Sequence, residues 1–506
     1  MRPKSAAIFA VLGLLACAAA ASATTPMRDA FGPRFAPRAE SHARHWRNHP
    51  HGASAAAMVK RWNAIATDAS GLDHTPVALG EDRVFGEQLG PGRSSRAMAI
   101  VHIAIYDAVN AVVPRYRSYT GLRPAPRHTD VRAAIAQAAH DSLVALFPSQ
   151  AGAFDASLSE VLAAIRPGAA RANGIALGRS AAAAILARRA HDGSQYTEPQ
   201  MGVGYLPGDG PGVWRQDPVS MIPIALGAEW GQVEPFVLRS GKQMRVPPPP
   251  PLDSAEYAAA FAEVLAVGGD GVTTPTTRTP EQTEIGIYWA YDGTPSLCAP
   301  PRLYNQITMQ IAEQQGTTRD AVELARLLAI VNTAMADAGI AIWESKYHYA
   351  FWRPVTGIRE ADAGTGPTGA GDGNPDTIGD PGFTPLGAPA SNLDGPDFTP
   401  PFPAYPSGHA GFGGAVFQTL RAFYGTDDIA FTFVSDEFNG VTQGSDGSVR
   451  PLLPRSFGSL SEAEEENGQS RIYLGIHWAF DKTQGIAQGR RVANYVMWHA
   501  FRPVGR

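Results

Sequence analysis

Lys346 and Arg353 stand seven residues apart in the stretch Lys346-Tyr347-His348-Tyr349-Ala350-Phe351-Trp352-Arg353-Pro354. Seven residues are two helical turns, so a continuous helix sets both cations on one face, about 10.5 Å apart along its axis. Pro354 would then end the helix. Two cations at the end of a buried helix need an anion, although alone they also suit solvated charges at a helix C-terminus. Pro406-Ser407-Gly408-His409 directly precedes an apolar helical pattern of Phe412, Ala415, Val416 and Leu420. A helix N-terminus offers free N–H groups to an oxyanion. Gly408 permits close backbone approach, Ser407 adds a hydroxyl, and His409 can exchange a proton near neutral pH. Read more plainly, the same tetrapeptide is a serine N-cap. The third group is Arg471, His477 and Asp481. A six-residue spacing does not place Arg471 and His477 on one face of a regular helix, and Gly475 between them can break or bend the backbone. Asp481 falls one turn after His477, where a carboxylate can orient the imidazole.

The elements that must position these groups read as helices. Residues 93–113, 131–147, 151–166 and 169–191 carry Ala, Leu, Ile and Val at three- and four-residue spacings. His102, Tyr106, Asp107 and His140 lie within these apolar runs and are expected to be satisfied core or interface groups. Residues 193–252 read as irregular, and the proline run 247–251 as a stiff spacer and domain boundary. Thr279-Pro280-Glu281-Gln282 is a capping box with proline at the first helical position. A helix follows from about 301 to 315. A further helical pattern runs to Trp352, apolar all round between Leu324 and Ile342, as befits the centre of a bundle. Residues 364–395 should form a long loop, and 409–424 and 482–500 further helices. No long strand-like alternation is evident.

Length and composition bound the rest. With 506 residues, 44% hydrophobic and 18% charged, the chain is an ordinary globular protein large enough for two domains. A formal net charge of −5 argues against nucleic acid as partner. Residues 1–23 read as a signal peptide: Arg2 and Lys4, an apolar run, then Ala21-Ser22-Ala23. Its removal takes the formal charge to −7 and implies a periplasmic or secreted protein. Leu14-Leu15-Ala16-Cys17 also resembles a lipoprotein cleavage box, which would anchor the chain through Cys17. Otherwise Cys298 remains as a lone structural thiol, which excludes an intrachain disulfide and a thiolate metal site. Residues 24–54 are expected to be a flexible segment, its His42, His45, His49 and His51 included. Residues 55–246 form the expected N-terminal helical bundle, and 247–506 the C-terminal bundle with the anion site. After the signal no charge-free apolar run of membrane-spanning length appears.

Taken together and in order, the three segments resemble the signature Lys-x6-Arg-Pro, Pro-Ser-Gly-His, Arg-x5-His of the superfamily joining type 2 phosphatidic acid phosphatases, bacterial class A acid phosphatases and vanadium-dependent haloperoxidases. The stretch 400–417 is similar to vanadium-dependent chloroperoxidases well beyond the tetrapeptide. So are Phe351-Trp352-Arg353-Pro354, Ser470-Arg471-Ile472, His477-Trp478 and Trp289-Ala290-Tyr291-Asp292-Gly293. The likeness covers most of 280–490, with Gly411 and Ala479 as departures.

The resemblance implies an all-α fold of two four-helix-bundle halves with long irregular loops. It implies vanadate as cofactor, with His477 the only protein ligand of vanadium and Lys346, Arg353, Arg471, Ser407 and the Gly408 N–H holding oxygens. His409 would be the acid–base partner, Asp292 the partner of the second arginine, and Trp343 and Phe402 part of the halide pocket. An aromatic at 402 resembles the chloride-oxidising members. The expected partners are hydrogen peroxide, halide and a small organic acceptor, and the expected catalytic groups are His409, Lys346 and His477. In this reading the oxidised metal acts as a Lewis acid, and the product is hypohalous acid. The rival reading, an exported acid phosphatase, uses the same residues with His477 as nucleophile and His409 protonating the leaving alcohol. A non-catalytic anion binder would not need both histidines.

Overall fold

The structure, a computed structural model, describes residues 26–38, 49 and 53–505. Residues 1–23, expected to be a signal peptide, and with them Cys17, lie outside the described residues, as do His42, His45 and His51. In the first half the helices are α1 (Met27–Phe31), α2 (Ala55–Asp73), α3 (Gly90–Val112), α4 (Val131–Leu146), α5 (Ala151–Ala163) and α6 (Ala169–Arg189). In the second they are α7 (Ala255–Val267), α8 (Pro280–Tyr288), α9 (Pro300–Gln314), α10 (Ala321–Tyr349), α11 (Pro354–Arg359), α12 (Gly408–Tyr424), α13 (Leu460–Tyr473) and α14 (Ala479–His499). The capping box at Thr279 and Gln282 opens α8 as its residue types require.

Helices α3, α4 and α6 pack on one another, with α2 against α4. Helix α10 lies against α3 on one side and against α12 and α14 on the other. Its all-round apolar surface is thereby buried, and one hydrophobic cluster runs through both halves. By length and composition α10 could cross a bilayer, but protein covers it. The four polar residues singled out in the apolar runs of the first half are satisfied where they sit. His102 bonds Met98 O and Asn63 Oδ1, Tyr106 donates to Arg117 O, and Asp107 accepts from Ser118, Tyr119 N and Thr120. His140 sits between Asp141 and Asp155.

Two expectations are corrected. Residues 26–38, expected to be flexible, are packed: Ala30, Phe31 and Phe35 are buried. There β1 (Ala36–Pro37) pairs antiparallel with β2 (Leu393–Asp394). The cause is apolar: Phe31, Phe35 and Phe398 form an edge-to-face cluster that a polar-looking segment concealed. The second correction is an antiparallel hairpin of β3 (Phe431–Asn439) and β4 (Leu452–Phe457). Its alternation is short: Phe431 and Phe433 face inward while Thr432 and Val434 are exposed. A register break after Val434 then cuts the pattern.

The contact between α12 and α14 sets the site's floor, and it is made of glycines. A Cβ on Gly489 would lie 2.0 Å from Gly411 O and 2.6 Å from Ala415 N. One on Gly485 would lie 2.7 Å from Ser407 O. Gly411, expected from the resemblance to be a departure, is thus part of the crossing. Gly489→Ala must push the helices apart and is expected to destabilise the fold by about 1–3 kcal/mol. A lowered urea midpoint at unchanged slope is the check.

Candidate functional site

Lys346 sits in the last turn of α10, but Arg353 is not on that helix. Ala350 takes a left-handed conformation (φ 45°) after Tyr349, and the chain runs extended to Arg353 (φ −82°, ψ 157°). Pro354 starts α11 instead of stopping α10. The expected shared helical face is therefore corrected. A proline pushes its preceding residue out of the helical region and is itself suited to the first helical position. Backbone bonds from Trp214 N to Ala350 O and from Ala404 N to Phe351 O hold the extended stretch. The two cations still converge, now from two elements.

Both are buried. Lys346 Nζ donates to Pro403 O at 2.7 Å and Ala404 O at 2.9 Å, which leaves one of its three donors. Arg353 Nε donates to Phe402 O at 2.8 Å, and one terminal nitrogen to Ile476 O at 2.7 Å. That nitrogen also stands 3.0 Å from His477 Nε2. The Phe402 ring lies 5.1 Å from Lys346 Nζ and 5.0 Å from the Arg353 guanidinium carbon, a cation–π wall. Trp343 packs on Phe402 with ring centroids 4.9 Å apart.

Ser407 is the N-cap of α12, its hydroxyl 3.4 Å from Ala410 N. Gly408 opens the helix, and a Cβ there would already touch the Trp343 ring at 3.4 Å. His409 donates from Nε2 to Ala290 O. Its Nδ1, which then carries the lone pair, is 3.9 Å from Asp292 Oδ1. The His409 carbonyl accepts from Tyr304 OH at 2.9 Å and Asn467 Nδ2 at 3.1 Å, so α9 and α13 fix its position.

Gly475 resolves the third segment. With φ 71° it turns the chain between α13 and α14, bringing His477 back beside Arg471. The Arg471 guanidinium donates to both oxygens of Asp292 at 2.8 Å. His477 Nδ1 donates to Asp481 Oδ2 at 2.8 Å, and the same oxygen accepts from Trp478 N at 2.9 Å. The His477 tautomer is thereby set, with its Nε2 lone pair toward the cations. Asp481→Asn is expected to weaken oxyanion binding about 10–100-fold. Calorimetric titration with vanadate checks this, and an unchanged melting temperature separates the effect from misfolding.

Seven of these residues line one cavity: Asp292, Trp343, Phe402, Gly408, His409, Arg471 and His477. Lys346 and Arg353 stand against the ring of Phe402, which lines it. The cluster is electrostatically uncomfortable as it stands. Burial, then the neighbouring Arg353 and Arg471, push Lys346 well below its usual range. Burial lowers Arg353 to about 9. His409 and His477 are held well below the usual imidazole value by burial and the surrounding cations. Burial raises Asp292 and, to about 7, Asp481. Crowded cations out of water need a compensating negative charge. Buried donors await it as well: Arg471 Nε and its second terminal nitrogen have no partner among the described residues. A tetrahedral oxyanion meets both needs, and the donor set fits vanadate. Among the described residues no group of three or more His, Cys, Asp or Glu gathers as for a divalent cation.

A family profile described as the VCPO second helical-bundle domain matches residues 326–506. Vanadium chloroperoxidase from Curvularia inaequalis is 33% identical over 498 residues, 83% of this chain and 78% of that protein. The chain belongs to the vanadium haloperoxidase family. A bacterial vanadium-dependent iodoperoxidase superposes with a TM-score of 0.69 at 23% identity, covering 89% of this chain and 98% of that one. An apo-type bacterial vanadium-dependent chloroperoxidase does so at 0.59 and 16% identity, covering 81% and 95%. These two likenesses speak for the mostly helical fold.

Of the residues singled out in the sequence of this haloperoxidase, Asp292, Trp343, Lys346, Arg353, Phe402, Ser407, Gly408, His409, Arg471, His477 and Asp481 lie around the one cavity. What sequence reasoning missed are the main-chain carbonyls of Ala290, Pro403 and Ala404, and the side chains of Tyr304 and Asn467 that hold His409 by its own carbonyl. Carbonyls carry no residue signature, so only the fold could reveal them.

Proposed function

We propose that the chain is a vanadate-dependent haloperoxidase that oxidises halide with hydrogen peroxide to hypohalous acid, with chloride among the halides it turns over. The observation that carries this reading is the pair of unpartnered Arg471 donors inside a buried cluster of three cations and two neutral histidines. Lys346, Arg353, Arg471, Ser407 and the Gly408 N–H would hold the oxygens of vanadate, and His477 Nε2 would be its protein ligand. Bound there, the oxidised metal supplies a Lewis acid that makes peroxide oxygen electrophilic.

The chain's residues do the rest. His409 Nδ1, with its proton kept on Nε2 by Ala290 O, takes a proton from the incoming peroxide and returns one to the leaving oxygen. Lys346, pinned by two carbonyls, presents its remaining N–H to developing negative charge without reorganising. Trp343 and Phe402 strip water from the halide at the cavity wall. The balance is one peroxide, one halide and one proton giving hypohalous acid and water.

Side-by-side assays of peroxide-dependent chlorination and bromination test the proposal. Measurable chlorination that Phe402→His lowers at least about tenfold relative to bromination is the expected result, one tenfold being a modest change in contact energy. Brisk hydrolysis of p-nitrophenyl phosphate, inhibited by vanadate and without halogenation, would instead make the protein a phosphatase.

A further inference from the structure

Trp343 is held from behind by a turn in the first half of the chain. Its indole N–H donates to Leu226 O at 3.0 Å, and Tyr347, one turn further along α10, donates its hydroxyl to the same oxygen at 2.9 Å. Leu226 N donates to Pro401 O at 2.9 Å, one residue before Phe402. A single residue thus ties both aromatic rings of the cavity wall. Gly227 follows in a left-handed conformation (φ 79°) and lies against the indole: a Cβ there would stand 2.2 Å from Trp343 Cδ1 and Nε1. The far edge of the ring faces Gly408, where a Cβ would stand 3.4 Å from Cη2. The indole is seated between two glycines, one of them at the oxyanion cradle. The turn has its own anchor. Gly227 N donates to Glu198 Oε2 at 2.6 Å, Ala225 N donates to Pro199 O at 2.9 Å, and Arg93 donates to the other oxygen of Glu198. Glu198 and Arg93 are both buried.

We propose that Gly227 and its anchor Glu198 are positioning residues for the halide: they fix how far the Trp343 indole reaches toward Gly408, and so the size of the seat between Trp343, Phe402 and the cradle. The inference rests on the haloperoxidase reading. The one indole N–H is spent on Leu226 O, so the ring meets the halide only with carbon-bound hydrogen. Its position, not a hydrogen bond, therefore decides the fit, and contact of this kind falls off steeply with separation. A rigid backrest gives the seat one size. A methyl group added at 227 drives the ring toward Gly408 and narrows the seat from behind, touching neither halide nor oxyanion. Shortening the anchor with Glu198→Asp keeps the charge that Arg93 faces, releases the turn, and loosens the seat for every halide.

Bromide turnover and halide binding in the vanadate-loaded full chain test this. Binding is read without turnover, from the broadening of the chloride resonance and its reversal by bromide. Gly227→Ala should raise the KM for bromide about tenfold, with kcat and vanadate affinity each within about threefold of the wild type. Bromide, the larger ion, should lose more affinity than chloride. In a Trp343→Leu background, whose smaller side chain can yield, the same substitution should change the bromide KM by less than about twofold, the non-additivity that contact between the two residues requires. If Gly227→Ala does not fold, Glu198→Asp carries the test: both halides should bind about threefold more weakly with vanadate affinity kept. Equal effects of Gly227→Ala in the two backgrounds, or a loss of vanadate affinity as large as that of halide affinity, would overturn the proposal. So would wild-type halide binding in Glu198→Asp, or no bromide-reversible broadening by the wild type. Reversible broadening that Gly227→Ala weakens, in a protein that halogenates nothing with vanadate and peroxide, would sink the haloperoxidase reading and leave the halide seat standing.

Discussion

His477→Ala is expected to abolish vanadate-dependent halogenation and to lower vanadate affinity by more than about 100-fold. Loss of a residue that merely supports a metal ligand costs about 10–100-fold, and His477 is the ligand itself in this account. The substitution leaves Asp481 Oδ2 with Trp478 N as partner and frees the Arg353 nitrogen that faced the imidazole. The three cations remain, so weak oxyanion binding should persist, with phosphate and vanadate now nearly equal. Calorimetry with each anion reads this directly. Retained preference for vanadate in the alanine variant would mean that the metal is held by another group.

His409→Ala should separate chemistry from binding. Its imidazole touches neither Lys346 nor Arg353 but hangs between Ala290 O and Asp292. Removing it should leave vanadate affinity within a few fold and lower the halogenation rate by about 10²–10⁴, the usual contribution of a positioned acid–base group. The loss should appear in kcat more than in the KM for halide. Equal losses of anion binding and rate would assign His409 to holding the oxyanion.

How far the sequence alone could lead is visible in particular residues. The cradle was legible because its chemistry sits in side chains: Lys346, Arg353, Ser407, His409, Arg471 and His477 can be found by type, and helix N-termini and proline positions suggest why they point where they do. The geometry was less so. Lys346 and Arg353 were expected to share a helical face, yet they meet across a break at Ala350. Pro354 gave the right boundary with the wrong polarity, since proline can end one helix or begin the next. Gly475 marked the turn between Arg471 and His477, and only its φ of 71° shows how the chain folds back.

Long-range contacts account for most of what stayed hidden. Phe31 and Phe35 lie in a segment whose composition reads as unstructured, and their partner Phe398 is more than 350 residues away. Nothing local announces such a contact. The hairpin of β3 and β4 is similar: its residues stabilise the Tyr288–Asp292 segment through Tyr288 OH on Phe433 O and Ser435 on Tyr288 O. That support reaches Asp292, and so Arg471, from a piece of chain with no motif of its own.

Under the proposed function, one buried cradle makes vanadate a cofactor for halide oxidation. Its most direct test is the rate of peroxide-dependent halogenation of a dione dye as orthovanadate is titrated into the metal-free protein. Expected are no turnover without vanadate, saturation at one equivalent, and competitive loss of activity as phosphate is added. Halogenation that is independent of vanadate, or none at saturating vanadate despite intact fold and calorimetric binding, would contradict it.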